Sequence, residues 1–435
     1  MKRETKHQHS DIVNGVLSYI YLHIDTELNA AELSRMESLS IHHLQRIFKE
    51  ETGKNLYETI KSIRLQKAAA DVFASPASLQ YSLSAGILPL REKLASYYTA
   101  MGLETGPEEI LITTGAQQAL DLISRAYFRF GTVVEAPAYL GALNAFSANG
   151  CSLNPVALHE QGLDIGAFEH RFAITKRAYL MCDFQNPTGV SYSEAQREEL
   201  ARIAIKHDGI IVEDGAYMEL FFEERLAPMA LYAPHHTLHV GSFSKTLAPG
   251  LRLGWIRGDA ALLAPILALK ERSDLHTSTL SQLLAERFWE SGLFGKHLRT
   301  VRATYKNKCD ALAHELTSQL SDFRFTKPKG GMFIYGRFPE WVDAKELAME
   351  CLKEGAVFVP GGEFYPGSPL CSEARFNFSG STPEQMRRGI AIISRTYEAY
   401  KQRSASTEAS FTASAASADK GASSFGVHNK RKVYA

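Results

Sequence analysis

Cysteine is sparse in this chain. Five residues in 435, Cys151, Cys182, Cys309, Cys351 and Cys371, are odd in number and widely spaced, with no CxxC pair. That excludes a disulfide-stapled miniprotein and gives no zinc or dithiol signature, so they read as reduced thiols. Net charge is absent too, since 48 Lys+Arg balance 48 Asp+Glu. The chain as a whole is therefore not drawn to nucleic acid or an anionic membrane, and any such partner must be met by a local patch. No uncharged apolar run reaches the roughly 18 residues of a membrane span, so no membrane partner is expected. The opening MKRETKHQHSDIV is charged where a signal peptide would have its apolar core, which makes the cytoplasm the expected location. No internal repeat is visible. What remains is an ordinary globular balance of 45% hydrophobic and 22% charged residues, in a chain long enough for about three units.

Along the chain the texture changes several times. Residues 8–70 read as short helices. Ile12, Val16 and Ile20 fall at helical spacing, a short helix follows around 30–36, and Ser40 caps a third. In that third helix Ile41, Leu44, Ile47 and Phe48 form an apolar stripe, while His42, His43, Gln45, Arg46 and Lys49 fill the other face, until Thr52-Gly53 ends it. A fourth helix carries Leu56, Ile60 and Ile63. Residues 71–79 form a linker. From about 80 to 402, short apolar strands alternate with amphipathic helices, starting at 110, 132, 178, 210 and 237, which reads as α/β with a largely parallel sheet over about 105–320. Shorter strands (MFIYGRF, AVFVPG, ARFNFS) suggest a smaller α+β lobe at about 321–402, to which the N-terminal segment of the α/β region is joined. Residues 403–435 are rich in Ser and Ala and poor in aliphatics, the composition of a disordered tail.

The most informative string is Gly241-Ser242-Phe243-Ser244-Lys245-Thr246-Leu247-Ala248-Pro249-Gly250-Leu251-Arg252-Leu253-Gly254-Trp255. A lysine directly after a strand, with two hydroxyls beside it and an arginine seven residues on, suits a phosphate-bearing aldehyde held as a Schiff base. Lys245 would form the imine, and Ser242, Ser244 and Arg252 would hold the phosphate dianion. A Ser-x-Ser-Lys alone would more simply be a surface lysine; the whole string argues otherwise.

With this string the sequence resembles the class I/II, fold type I pyridoxal-phosphate aminotransferases from about 80 to 400. The resemblance implies a large α/β/α domain with a mainly parallel sheet and a small α+β domain, with pyridoxal 5'-phosphate as cofactor. It also assigns residues. Asn186 in DFQNPTG would bond the cofactor's phenolic oxygen and contribute on the substrate side. Asp214 and Tyr217 in EDGAY would pair with the ring nitrogen and the phenolic oxygen. A carboxylate at the ring nitrogen keeps it protonated and electron-withdrawing. Gly115, Ala116 and Gln117, at a strand-to-helix junction, would offer backbone N–H groups to phosphate. Relatives often carry a hydroxyl where Ala116 stands. Tyr139 would stack on the ring, and Arg375 would grip the α-carboxylate of the amino acid or 2-oxo acid with a planar fork. Tyr81 in LQYS matches the tyrosine that reaches the phosphate of a partner subunit, which implies a homodimer with shared sites.

The first 70 residues resemble a different family, the AraC-type regulators, over the first helix-turn-helix and its linker helix. There the helix beginning near Ser40 would lie in the major groove, with His42, His43, Gln45, Arg46 and Lys49 facing DNA. The bland alternative is a helical bundle that packs on the catalytic domain. The combination is similar to MocR-type regulators, which use a different DNA-binding head. Two readings stay open: a regulator that senses pyridoxal phosphate or an amino acid, with or without transamination, and an amino-acid:2-oxo-acid aminotransferase with ping-pong turnover and accessory helices.

Overall fold

The computed structural model describes residues 2–24, 26, 28–73, 76–367, 369 and 371–422. The chain divides into two compact units. The first comprises residues 1–307, 328–333 and 364–367, and the second residues 308–327, 334–363 and 368–435. The division falls inside the helix Leu293–Gln319.

Four helices open the first unit: α1 (Lys2–Leu22), α2 (Ala30–Met36), α3 (Ile41–Thr52) and α4 (Leu56–Phe73). Local chemistry sets their ends. Asn29 and Ser40 accept backbone N–H bonds from Glu32 and His43, and Gly53 terminates α3 at φ 71°. Val16 and Ile20 of α1, Leu33 of α2, Leu44, Ile47 and Phe48 of α3, and Leu56, Ile60 and Ile63 of α4 close a core of their own. Ile41 departs from the expected stripe. It is 39% exposed, because it sits in the first turn of α3, one residue after the cap and beyond the packed face.

The rest of the unit is built on an eight-stranded sheet: β1 (Ile110–Thr113), β2 (Thr132–Ala136), β3 (Leu153–His159), β4 (Gly162–Leu163), β5 (Arg177–Leu180), β6 (Ile210–Asp214), β7 (Thr237–Ser242) and β8 (Gly254–Arg257), in the order β1-β8-β7-β6-β5-β2-β3-β4. The run from β3 through β2, β5 and β6 to β7 is parallel, while β8 runs antiparallel between β7 and β1 and β4 antiparallel to β3. The expected largely parallel sheet is therefore a mixed one. Residues of β1, β6, β7 and β8 are buried throughout, in cores closed by the buried faces of the flanking amphipathic helices. Around the sheet lie α5 (Leu88–Thr99), α6 (Ala116–Tyr127) and α7 (Leu140–Ala148), with further helices at Ile165–Thr175, Glu194–Lys206, Ala260–Ser273 and Thr279–Glu290.

The second unit holds a four-stranded sheet, β9 (Arg324–Phe325), β10 (Phe333–Arg337), β11 (Val359–Pro360) and β12 (Glu373–Asn377), ordered β11-β12-β10-β9. Its last helix runs Pro383–Ala422, so residues 403–422 continue a helix where a disordered tail was expected. Alanine-rich sequence without proline permits this. Residues 423–435 of the expected tail, and 74–75 of the expected linker, lie outside the described residues.

Candidate active site

Parallel strands bring their C-terminal ends to one edge of the sheet, and the sequence places polar residues there. β6 ends at Asp214, β7 at Ser242 and β2 at Ala136, just past Glu135. Because β8 and β1 are antiparallel, Thr113 and Ser242 both pair with Gly254 and meet at that edge. The approach is close: a Cβ on Gly254 would stand 2.8 Å from Gly115 C and 2.9 Å from Ala116 N. Only glycine fits.

Gly115 starts α6 at φ 83°, and a Cβ there would lie 3.0 Å from Arg252 Nη2. The guanidinium thus faces bare backbone at a helix N-terminus, a setting suited to an anion. Ser242 is buried and accepts the Ser244 N–H at 3.1 Å, opening the short helix Phe243–Thr246 that carries half-buried Lys245. Gln117 donates to the Gly141 carbonyl at 2.7 Å and accepts from the Tyr139 hydroxyl at 3.4 Å. The start of α6 is braced from behind, where Asp274 accepts from Gln118 at 2.6 Å and from Lys270 at 2.7 Å.

Asp214 is buried. Its Oδ2 accepts from the Tyr179 hydroxyl at 2.8 Å and its Oδ1 from the Ala216 N–H at 3.1 Å. Burial raises the carboxyl above its ordinary range, against these two bonds and the charge of Lys245. The last influence places Lys245 within electrostatic reach of Asp214. Asn186 Nδ2 donates to the Tyr217 hydroxyl at 3.3 Å, and both side chains are buried.

Several further side chains, some of them inside the same motifs, hold the site from behind. Glu135 accepts from Met181 N at 3.0 Å, Gln185 Nε2 at 2.9 Å and the Tyr192 hydroxyl at 2.6 Å, and burial pushes its carboxyl up to about 7. Gln185 in turn accepts the Thr188 N–H at 2.9 Å and so braces the Asn186–Gly189 loop. Arg197 fixes the same loop from the far side, with Nη2 2.8 Å from Asp183 Oδ1 and 2.8 Å from the Cys182 carbonyl. A lone charge on an apolar strand, TVVEA, is the signal that could have marked Glu135. Tyr179 had none.

Thus Gly115, Ala116, Gln117, Tyr139, Asn186, Asp214, Tyr217, Ser242, Ser244, Lys245 and Arg252 all lie at or beside this edge. Tyr81 does not join them within one chain. It is 83% exposed, its ring edge-on to His276 at 5.6 Å. Arg375 lies on β12 of the second unit, paired with Val359. Of the other face of α3, His42, Gln45, Arg46 and Lys49 are exposed, and half-buried His43 meets the His9 ring edge-on at 5.9 Å.

The sequence profile described as aminotransferase class I and II matches residues 51–393. The chain belongs to that family. This class I/II aminotransferase chain is 34% identical over 331 residues to a 2-aminoadipate transaminase of Thermus thermophilus, covering 73% of this chain and 81% of that one. It is also 32% identical over 327 residues to an HTH-type transcriptional regulator, YisV, of Bacillus subtilis, covering 73% and 67%. NorG, an HTH-type regulator of Staphylococcus aureus, is 26% identical over 388 residues, covering 85% and 87%. The crystal structure of LysN, an α-aminoadipate aminotransferase of Thermus thermophilus complexed with N-(5'-phosphopyridoxyl)-L-leucine, superposes with a TM-score of 0.73 at 33% identity, covering 77% and 88%. The fold is fold type I, and its cofactor is pyridoxal 5'-phosphate.

The residues present suit that group. The cradle that a Cβ on Gly115 would fill faces a guanidinium, as a phosphate requires, and Asp214 supplies a buried carboxylate for a ring nitrogen. Among the described residues no cluster of His, Cys, Asp or Glu could hold a metal ion, and no helix is long and apolar enough to cross a membrane.

Proposed function

We propose that this protein is a cytoplasmic, homodimeric transcriptional regulator in which a pyridoxal-phosphate-binding aminotransferase domain, residues 80–402, senses the cofactor or an amino acid for a DNA-binding head, residues 8–70. The observation that carries the reading is that α1–α4 close a core of their own and leave the polar face of α3 outside it. Regulator-named relatives support it, and so does the local resemblance of 30–65 to an AraC-type helix-turn-helix. His42, His43, Gln45, Arg46 and Lys49 would meet base edges and phosphates.

In this reading Lys245 carries the cofactor. Gly115, Ala116, Gln117, Ser242, Ser244 and Arg252 bind its phosphate, Tyr139 covers one ring face against water, and Asn186 and Tyr217 donate to the phenolic oxygen. Tyr81 reaches the phosphate site of the partner subunit. Bound, the cofactor supplies an electron sink for a carbanion at the substrate α-carbon. Asp214 keeps the ring nitrogen protonated, and Tyr179 holds the Asp214 carboxylate in place. Displaced by an incoming amine, Lys245 Nζ would take the α-proton and deliver it to the cofactor's aldehyde carbon, on the far side of the imine nitrogen. By the family resemblance Arg375 takes the carboxylate of an amino acid or 2-oxo acid, and Asn186 is assigned to the substrate side as well.

A second reading is favoured by the retention of Lys245, Asp214, Asn186 and Arg375 together: an amino-acid:2-oxo-acid aminotransferase whose helices are an accessory. One experiment separates the two. Purified protein with pyridoxal phosphate is scanned by absorption, first with a panel of amino acids and then with 2-oxoglutarate. Its binding to DNA from upstream of its gene is measured in parallel. Specific DNA binding with no conversion between the aldehyde and amine forms of the cofactor supports the sensor; reversible conversion without DNA binding supports the enzyme.

A further inference from the structure

One contact joins the N-terminal helices to the turn that holds Lys245. α4 packs along the helix Thr279–Glu290 and brings Tyr57, in its first turn, against His297. The Tyr57 hydroxyl bonds His297 Nδ1, and the two rings stack with centroids 5.6 Å apart and planes 7° from parallel. Phe288 meets the imidazole edge-on at 5.8 Å, and His297 is buried. Its other hydrogen bond is to the backbone of Thr246, the residue after Lys245. Burial, with the charge of Lys61 and then of Arg64 nearby, pushes the imidazole down to about 4, so the ring is neutral. A neutral imidazole gives one N–H and receives one. The tautomer that satisfies both bonds has the Tyr57 O–H donating to Nδ1, which leaves the N–H at Nε2 for the Thr246 carbonyl.

That carbonyl belongs to a stiff element. The Thr246 hydroxyl donates to Ser242 O at 3.2 Å and the Leu247 N–H to Phe243 O at 2.8 Å, so the turn is bonded together as one piece. We propose that Tyr57 and His297 are positioning residues that tie α4 to the Thr246 carbonyl and thereby fix the turn presenting Lys245. A phenylalanine would fill the Tyr57 space equally well; only the hydroxyl completes the chain of bonds. The inference rests on Lys245 being the cofactor-bearing lysine. It gives the head a physical route to the site: a displacement of α4 tilts the turn, and by linkage a change at the turn biases α4.

The test uses the full chain loaded with pyridoxal phosphate. The pH midpoint of its visible absorption band and the rate of cofactor loss are read for wild type, Tyr57→Phe, His297→Leu and His297→Gln, with melting curves for each. One hydrogen bond is worth enough that Tyr57→Phe and His297→Leu should move the midpoint by about half a unit to one unit, or speed cofactor loss about three- to tenfold. His297→Gln, which both accepts and donates, should restore most of the wild-type behaviour. If His297→Leu fails to fold, Tyr57→Phe decides. An unchanged midpoint and loss rate in Tyr57→Phe, even with a lowered melting temperature, means packing alone and overturns the proposal. Lys245→Ala separates the two failures: if that variant keeps the linked-cofactor band, the reading of Lys245 falls instead.

Discussion

The Tyr179 hydroxyl donates to Asp214 Oδ2 at 2.8 Å, from a strand neighbouring the one that Asp214 ends. The bond crosses from β5 to β6, so the carboxylate is aimed by a side chain outside its own loop. Removing the donor leaves a buried acceptor unpaired and raises the Asp214 carboxyl further. Tyr179→Phe should therefore weaken proton retention at the cofactor ring. Single-turnover mixing with an amino acid should show a rate about tenfold lower, the size of one hydrogen bond to a charged group. Unchanged rates would remove Tyr179 from the site.

Lys245→Ala should abolish the covalently linked cofactor band and leave the far-UV spectrum intact. Its DNA binding, measured without cofactor, should match wild type. The head's core is built from α1–α4 and contains no residue of the 243–253 turn.

Gly115→Ala adds a Cβ 3.0 Å from Arg252 Nη2 at a backbone φ of 83°. Both effects act in one direction. A stability loss of about 1–2 kcal/mol is expected in urea melts, since φ above zero is disfavoured for alanine. Equilibrium dialysis should show weaker retention of pyridoxal phosphate, because the displaced guanidinium leaves the cradle.

Arg46→Ala should weaken binding to an upstream DNA fragment and lower the salt dependence of log K by up to about one unit if Arg46 contacts a phosphate. Fluorescence anisotropy over a salt series reads this directly. The cofactor spectrum should not change.

Glu135 makes the fold sensitive to pH in an unusual direction. Its carboxyl is raised from 4.5 to about 7 in the folded state. The folded chain therefore binds the extra proton between those values, and stability is fully present below about 4.5 and lost as pH rises through 7. The loss is on the order of 3 kcal/mol, at about 1.4 kcal/mol per pH unit. Melting temperature should fall from pH 5 to pH 8, and Glu135→Gln should flatten part of that fall.

How much of this was written in the sequence depends on the kind of contact. Strands β1, β2, β5, β6 and β7 were legible because buried strands show as apolar runs ending at polar motifs. β3 was not: only Val156 and Leu158 of LNPVALH are buried, since the strand lies toward the sheet edge. β8 was hidden inside the motif that drew attention to Lys245. The short link after β7 did hold a clue, since a parallel return needs a crossover of a dozen residues or more, usually through a full helix. Asn186, Asp214, Lys245 and Arg252 were found because each has a local string around it. The pairs Tyr179–Asp214 and Tyr57–His297 join residues 35 and 240 positions apart, and nothing local marks either partner.

The pairing of Ser242 with Gly254 across β7 and β8 turns the spacing between Lys245 and Arg252 into a fixed circumference. The chain leaves the sheet at one residue of that pair and must return at the other, so the segment 243–253 is a closed loop with both ends clamped. Adding or deleting one residue would force β8 to slip by one against β7 and β1 together, turning Trp255 and Arg257 to the opposite faces of the sheet. Substitutions can tune this loop, whereas a change in its length would be paid for by the whole edge of the sheet.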